Sequence, residues 1–581
     1  MLKLQRDDIK AWPRRLLHVP SMTSIERSGV DCYGSVRAPA YAILSYTWGR
    51  WEVSSGPALS VQGLTWNVPA IDPAHFTVED FEKVLHSVSN GVSFVWVDIA
   101  CIDQADHVVK MDEIGRQAAI FNNAQEAYVW LNHISAEKLQ GVMAEVFRCE
   151  AALGGDGEHK ANFGGEDIII RYNTDEVDDD DDDDVSQWLP SCLCSQDWIQ
   201  AIIWAFSQLA QDPWFTSLWC LQEGFLRPTA TLLSLEAVPP TRPGFTATGL
   251  VTLLAASAEI YRVILKVPAN DPSYDHTALK HIRGLIEALG LDAWNSPILL
   301  YSSAAQFRRT REAVDRIYGI MQVFGFKLGT ARDPSRSYTL QELEVQFAIE
   351  LNALSPVWGQ LFRAPVPVEL GSCWRVSSQS TLPELLKLAV MMPSDMCRIC
   401  VEDGKAVFEG QACPFPAMLS IWKKIASVPR KWQQTFWGNE AVQVIILDVT
   451  EFSEAYVPEP LRVIDTETDV EKHQDLSQLL CDVLGNELHI FLLGKLLQSE
   501  ARDEEEDDEV TLSEPEEKAE EVRKEDDKGF ALMGMLARRQ QLAHQEGYCW
   551  QRIGLCIWTS APKSLSKRHE AVFSQTRGLL A

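Results

Sequence analysis

The chain has 581 residues, 46% of them hydrophobic and 19 of them Trp, so it can bury substantial cores. A length of this order predicts roughly three to four domains, with one or two merged. The net charge of −30 is localised: residues 175–184 hold nine acidic residues and no basic one, residues 502–528 hold 15 acidic against 5 basic, and the remainder carries only −11. The two tracts read as solvated, self-repelling segments, and without a concentrated basic surface nucleic acid is excluded as a principal ligand. Residues 1–8 lack the apolar core of a secretory signal, and the most apolar long run, 249–267, is interrupted by Glu259, Arg262 and Lys266, so no membrane span is expected. The 13 cysteines are odd in number and irregularly spaced, which predicts reduced thiols and a cytoplasmic location.

In chain order, Leu16-Leu17-His18-Val19 and the run from Tyr41 to Tyr46 read as short buried strands. Phe81, Val84, Leu85 and Val88 recur at helical spacing. Phe94-Val95-Trp96-Val97-Asp98-Ile99 suits an interior parallel strand buried on both faces. Met111, Ile114, Ala118 and Phe121 give a second helical stripe, and Tyr128-Val129-Trp130-Leu131 a third strand of the core. Strands alternating with helices predict an α/β fold with a parallel sheet flanked by helices. Residues 150–195 read as an acidic insertion, after which Trp198, Ile202, Phe206 and Leu209 form a helical stripe that stops before Pro213. The expected division is thus a first domain over 1–235, a helical region over 236–362 and a β-rich region over 363–581. In the helical region Thr339-Leu340-Gln341-Glu342 is a capping box. In the β-rich region Ala406-Val407-Phe408 and the runs 442–447, 488–493 and 553–558 read as strands, the second acidic tract fills 500–529, and a short helix is expected near 531–541. No internal repeat is present, which disfavours solenoids and propellers.

Three blocks combine rare residues in ways that packing alone does not require. They are Tyr41-Ala42-Ile43-Leu44-Ser45-Tyr46-Thr47-Trp48-Gly49, then Val95-Trp96-Val97-Asp98-Ile99-Ala100-Cys101-Ile102-Asp103-Gln104 running on to Tyr128-Val129-Trp130-Leu131, then Trp214-Phe215-Thr216-Ser217-Leu218-Trp219-Cys220-Leu221-Gln222-Glu223. In this order they resemble the three signature blocks of the heterokaryon-incompatibility (HET) domain of filamentous fungi, a self/non-self signalling module linked to programmed cell death. Arg14-Arg15-Leu16-Leu17-His18-Val19 looks like the family's lead-in, and Asp315-Arg316-Ile317-Tyr318-Gly319 like a segment found downstream of it. The third block departs from the family's habit of carrying an Arg where Ser217 stands. HET domains are in turn similar to TIR domains, which share a flavodoxin-like parallel sheet, and some TIR domains hydrolyse NAD with a Glu placed three residues after a Trp-Cys pair. Trp219-Cys220-Leu221-Gln222-Glu223 has that pattern.

The resemblance implies Glu223 as the catalytic residue and Trp219 beside it as a substrate-binding residue, with NAD as substrate rather than as a bound cofactor. A carboxylate beside the ribosyl–nicotinamide bond can stabilise the oxocarbenium-like state and hold ribose hydroxyls. The alternative is that Glu223 is a surface or capping carboxylate beside a packed Trp219. Asp98, Asp103 and Gln104 follow a strand, at the carboxyl edge where open α/β sheets bind ligands, and there they can hold a ribose or position Glu223. Alternatively Asp103 caps a turn and Asp98 satisfies local backbone donors. Ser45, Tyr46 and Trp48 end the first core strand in an equivalent position, where Trp48 can stack on a base or serve only to pack. A single Cys397-Arg398-Ile399-Cys400 is too little for zinc, and neither a GxxxxGK[ST] loop nor a GxSxG elbow is present. Arg308, Arg309, Arg311 and Arg316 are a candidate anion patch, read instead as the solvated face of a helix paired with Glu312 and Asp315. Two functional classes stay open: an enzyme that hydrolyses NAD or a related nucleotide, completed by self-association, and a non-catalytic module that acts by assembly with protein partners.

Overall fold

The computed structural model describes residues 12–153, 158–163, 166–171, 189–241, 248–268, 271–292, 294, 297–301, 305–366, 368–369, 371–382, 391–402, 404–426, 443–448, 487–498, 530–541, 548–559 and 572–580. The acidic tracts at 175–184 and 502–528 lie outside these residues. The chain divides into two units, Met1–Leu343 and Glu344–Ala581.

The first unit opens with β1 (Arg15–His18), β2 (Thr23–Ser28), β3 (Cys32–Tyr33), β4 (Val36–Arg37) and β5 (Tyr41–Ser45). A two-stranded ribbon of β6 (Glu52–Val53) and β7 (Ala70–Ile71) leads to α1 (Val78–Val88). Thr77 and Asp80 close a reciprocal capping box at the start of α1, and Phe81, Val84, Leu85 and Val88 form its buried stripe. Each such side chain, taken from water into the core, contributes about 1.5–3 kcal/mol. Next come β8 (Phe94–Trp96), α2 (Asp98–Cys101), α3 (His107–Ile114), α4 (Gln117–Asn123), β9 (Glu126–Trp130) and α5 (Ala136–Ala151). Within the 150–195 insertion β10 (Glu158–Phe163) and β11 (Glu166–Arg171) form an antiparallel hairpin. The unit continues with α6 (Gln196–Leu209), α7 (Leu218–Leu226), β12 (Thr231–Leu233), α8 (Leu250–Leu265) and α9 (His276–Leu289).

Eight strands form one sheet in the order β12-β9-β5-β8-β1-β2-β3-β4. The four from β12 to β8 run parallel, and from β1 onward each neighbour is antiparallel. The sheet is therefore mixed, a parallel core with an antiparallel extension. Every residue of β5 and of β8 is buried, as interior strands covered on both faces require.

Two expectations need correction here. The strand expected over 94–99 ends at Trp96: Asp98 accepts a hydrogen bond from the Ile99 amide at 2.7 Å, and the chain turns into α2. A short polar side chain that bonds its own neighbouring amide competes with the sheet ladder and closes the strand. The 111–121 stripe is not one helix but two, since α3 ends at Ile114 and α4 starts at Gln117.

The second unit holds β13 (Met391–Asp395), β14 (Arg398–Glu402), β15 (Lys405–Pro414), the helix Phe415–Ala426, β16 (Gln443–Leu447), β17 (Leu488–Gln498), β18 (Phe530–Gln541), β19 (Tyr548–Thr559) and β20 (Ser574–Leu580). Its sheet runs β13-β17-β18-β19-β20-β15-β14, with β16 beside β19, and a further pairing of β15 with β17 closes β17, β18, β19, β20 and β15 into a ring. Phe415, Met418 and Trp422 of the helix pack on Ile490, Leu532 and Trp558. The helix expected near 531–541 is a strand instead. Ala531-Leu532-Met533 and Met535-Leu536-Ala537 favour helices locally, but seven consecutive buried residues paired with both β17 and β19 let tertiary pairing override that preference.

Candidate functional site

Because β5, β8 and β9 are parallel, their carboxyl ends share one edge of the sheet, where the chain leaves at Ser45, at Asp98 and at Asn132. The helix α7 brings Glu223 to this edge from 178 residues away in sequence. The Ser45 hydroxyl donates to Glu223 Oε2 at 2.6 Å and accepts from the Trp214 indole Nε1 at 2.9 Å. Glu223 is only 8% exposed, and among the described residues no cation pairs with it. Burial, reinforced by the nearby Asp98 carboxyl and opposed by the Ser45 bond, pushes the Glu223 carboxyl up to about 8. At neutral pH it is therefore mostly protonated.

Asp98 shares this environment. Its Oδ2 accepts from the Trp48 indole, its Oδ1 from the Ile99 amide, and burial raises its carboxyl above the usual range against those bonds. The buried Tyr46 hydroxyl faces Asp98 without a well-formed hydrogen bond. The Tyr46 ring packs on Phe76 and Phe81, which with Ile99 line an apolar cavity of about 150 Å³.

The structure thus brings Ser45, Tyr46, Trp48, Asp98 and Glu223 together. The other three candidates lie further out. Gln104 donates to the Asp98 carbonyl at 3.2 Å, and the Asp103 carboxylate accepts from the amides of Ala105 and Asp106 as a turn does. Trp219 is half-buried, with its side chain hydrogen-bonded to Asp315. The arginines correct a further expectation. Arg308 is not on a solvated helix face: it is 1% exposed, lies outside any helix, and donates to the carbonyls of Trp214 and Leu289.

Sequence reasoning missed a second polar group on the same edge. His75, in the loop before α1, is buried with its Nε2 2.7 Å from the Thr47 carbonyl and its Nδ1 2.9 Å from His133 Nε2. Since a carbonyl only accepts, His75 Nε2 carries the proton and Nδ1 accepts from His133. Burial pushes His75 down to about 4 and lowers His133, so both rings are neutral at physiological pH. Trp51 stacks on His75 with ring centroids 3.8 Å apart. Asp212 joins this group to the first by accepting from the amides of both His133 and Trp214, and burial raises its carboxyl to about 7. Two isolated histidines 58 residues apart carry no spacing signal from which this pairing could be read.

On the far side of Glu223, α7 meets the region after α9 at the closest possible range. A Cβ on Gly224 would lie 2.5 Å from the Trp294 ring, so only glycine fits there.

The fold and its edge define an α/β domain in which the Glu223 and Asp212 carboxyl groups are buried at the carboxyl edge of a parallel sheet with no ion pair among the described residues. Residues 41–223, from the first residue of β5 to Glu223 itself, match the family model of heterokaryon incompatibility protein (HET), and it is this span that is similar to that family. No curated protein and no solved structure matches the chain significantly. β1 to β4 and β12 complete the sheet from outside the matched span. Among the described residues no helix is long and apolar enough to cross a membrane.

Proposed function

We propose that this chain is a self/non-self recognition or defence effector that triggers cell death by cleaving the ribosyl–nicotinamide bond of NAD or a related nucleotide, with Glu223 as the catalytic residue. The observation that supports this reading is the Ser45–Glu223 hydrogen bond at the carboxyl edge of the sheet, with the Asp98 carboxyl beside it. Two carboxyl groups in a desolvated cleft are the chemistry that a developing oxocarbenium ion needs: one ionised group close to the anomeric carbon, the other holding ribose hydroxyls. In this arrangement Ser45 orients Glu223, Trp48 holds Asp98, Tyr46 packs beside it, and Gln104 fixes the Asp98 backbone, while Asp103 and Trp219 lie further out. Only ionised Glu223 stabilises positive charge, so the rate should rise with pH through about 8. The enclosure of Glu223 means that the resting chain must open to admit substrate, and self-association is the proposed trigger.

The same enclosure favours a second reading, in which the domain acts only by assembly with protein partners and Glu223 is structural. Purified full-length chain should be incubated with NAD, free and after forced oligomerisation through a fused coiled coil, alongside Glu223→Gln. Release of nicotinamide by the oligomerised wild type, reduced at least about a hundredfold in Glu223→Gln, is the expected result. Cell death retained by Glu223→Gln at normal expression would leave assembly as the mechanism.

A further inference from the structure

Near Thr216, just before α7, two arginines stand close enough to repel each other, and neither has an acidic partner among the described residues. Arg50 follows Trp48-Gly49 at the end of β5. Its Nη2 lies 3.2 Å from the Thr216 hydroxyl and 3.4 Å from the Pro213 carbonyl, which leaves Nε and Nη1 uncommitted among the described residues. Arg309 is anchored to the same residue by its backbone. Its amide donates to the Thr216 carbonyl at 2.7 Å, and its own carbonyl accepts from the Leu218 amide at 3.2 Å. Its side chain is exposed, and no described residue engages its guanidinium. The neighbouring acids are already occupied. Glu52 pairs with Arg311, whose Nη1 also reaches the Gly49 carbonyl, and Asp315 is held by Trp219 with Lys110 nearby.

Two adjacent guanidinium groups repel each other, and in a chain with 82 acidic residues an available carboxylate would ordinarily settle between them. None does so among the described residues. The fork of donors on each arginine matches the oxygens of a phosphate, and two forks side by side match two linked phosphates. Thr216 and Ser217 run directly into α7. From Leu218 to Glu223 the helix rises about 8 Å, the reach of one ribose between a diphosphate and a glycosidic carbon. The Trp51 ring stands 4.8 Å beneath the Arg50 guanidinium and fixes its plane.

We propose that Arg50 and Arg309 form the diphosphate subsite of this domain, so that its ligand is a nucleoside diphosphate or a dinucleotide rather than a neutral nucleoside. The choice of a nucleotide as ligand rests on the reading of the Glu223 cleft given above. The subsite itself is a matter of binding and is measured separately.

Calorimetric titration of the full-length chain with ADP, inorganic pyrophosphate and adenosine tests it. ADP and pyrophosphate should bind and adenosine should not. Arg309→Ala should weaken ADP binding at least about tenfold, as should Arg50→Ala, with Arg309→Lys intermediate. Arg309 keeps its structural place through its backbone, so its truncation leaves the fold intact even if loss of the Arg50–Thr216 contact does not. ADP binding unchanged in Arg309→Ala would overturn the proposal, as would binding of pyrophosphate without ADP, which marks a bare anion patch. Arginine-dependent ADP binding in a chain that never releases nicotinamide leaves the subsite standing and the catalytic reading refuted. Nicotinamide release that needs Glu223 but keeps its KM in both arginine variants refutes the subsite alone.

Discussion

Two buried acidic groups, Asp448 in the second unit and Glu223 in the first, are treated in opposite ways. In the second unit Arg552 and Asp448 are both almost wholly enclosed, with Arg552 Nε 3.7 Å from Asp448 Oδ2; Asp448 accepts from the Ala364 amide and Arg552 Nη2 donates to the Phe362 carbonyl, so what compensates the buried charge is chiefly the opposite charge beside it. In the first unit Glu223 is enclosed and Asp98 beside it is half-buried, neither forms an ion pair among the described residues, and the Asp98 carboxyl raises the cost of ionising Glu223. A compensated pair serves to hold a fold together. An uncompensated pair costs stability, and such costs persist where a group is kept for its chemistry. The contrast is not one of unit against unit, because Glu113 in the first unit is buried and salt-bridged to Arg116. It is one of scaffold against sheet edge.

Breaking the compensated pair should have the largest effect. Asp448→Asn leaves Arg552 buried without its counterion, and a loss of about 3–5 kcal/mol is expected, read by denaturant unfolding of the second unit's transition. A loss below about 1 kcal/mol would mean that the pair is not desolvated as its enclosure requires. The uncompensated group should instead reveal itself through pH. Glu223 binds its proton more tightly when folded than when unfolded, so its contribution is full below its ordinary value of 4.5 and is lost as pH rises to about 8. Stability should decline across that window by an amount of order a few kcal/mol, and Glu223→Gln should flatten the decline while changing little at acid pH. Parallel curves for the two proteins would place the titration elsewhere, with Asp212 the first alternative. Ser45→Ala is the smallest of the three. It deprives Glu223 of its donor and Trp214 of its acceptor, for a loss of about 1–3 kcal/mol, and it should shift the pH-dependent decline of the wild type to higher pH, since the Ser45 bond is what lowers the Glu223 value.

What could be read in advance follows the range of the interactions. β5, β8 and β9 and the stripe of α1 were legible because burial on both faces or on one helical face writes a local pattern. The three blocks pointed to Ser45, Asp98 and Glu223, which lie at one edge. β18 was misread because its residues favour a helix and only its partners β17 and β19 make it a strand. The His75–His133 pair and the joint anchoring of Arg50 and Arg309 on Thr216 were invisible, because each joins residues that are unremarkable alone and distant in the chain.

The glycine at 224 has a mechanical consequence. With a ring carbon of Trp294 already where a side chain would stand, α7 packs against Trp294 through its bare backbone, and any larger residue at 224 would push the two apart. Its packing at this point is set by contact rather than by hydrogen bonds. The stretch from Trp48 to Trp51 that leaves β5 is by contrast only half-buried, so of the two segments beside Glu223 it is the one with solvent on one face.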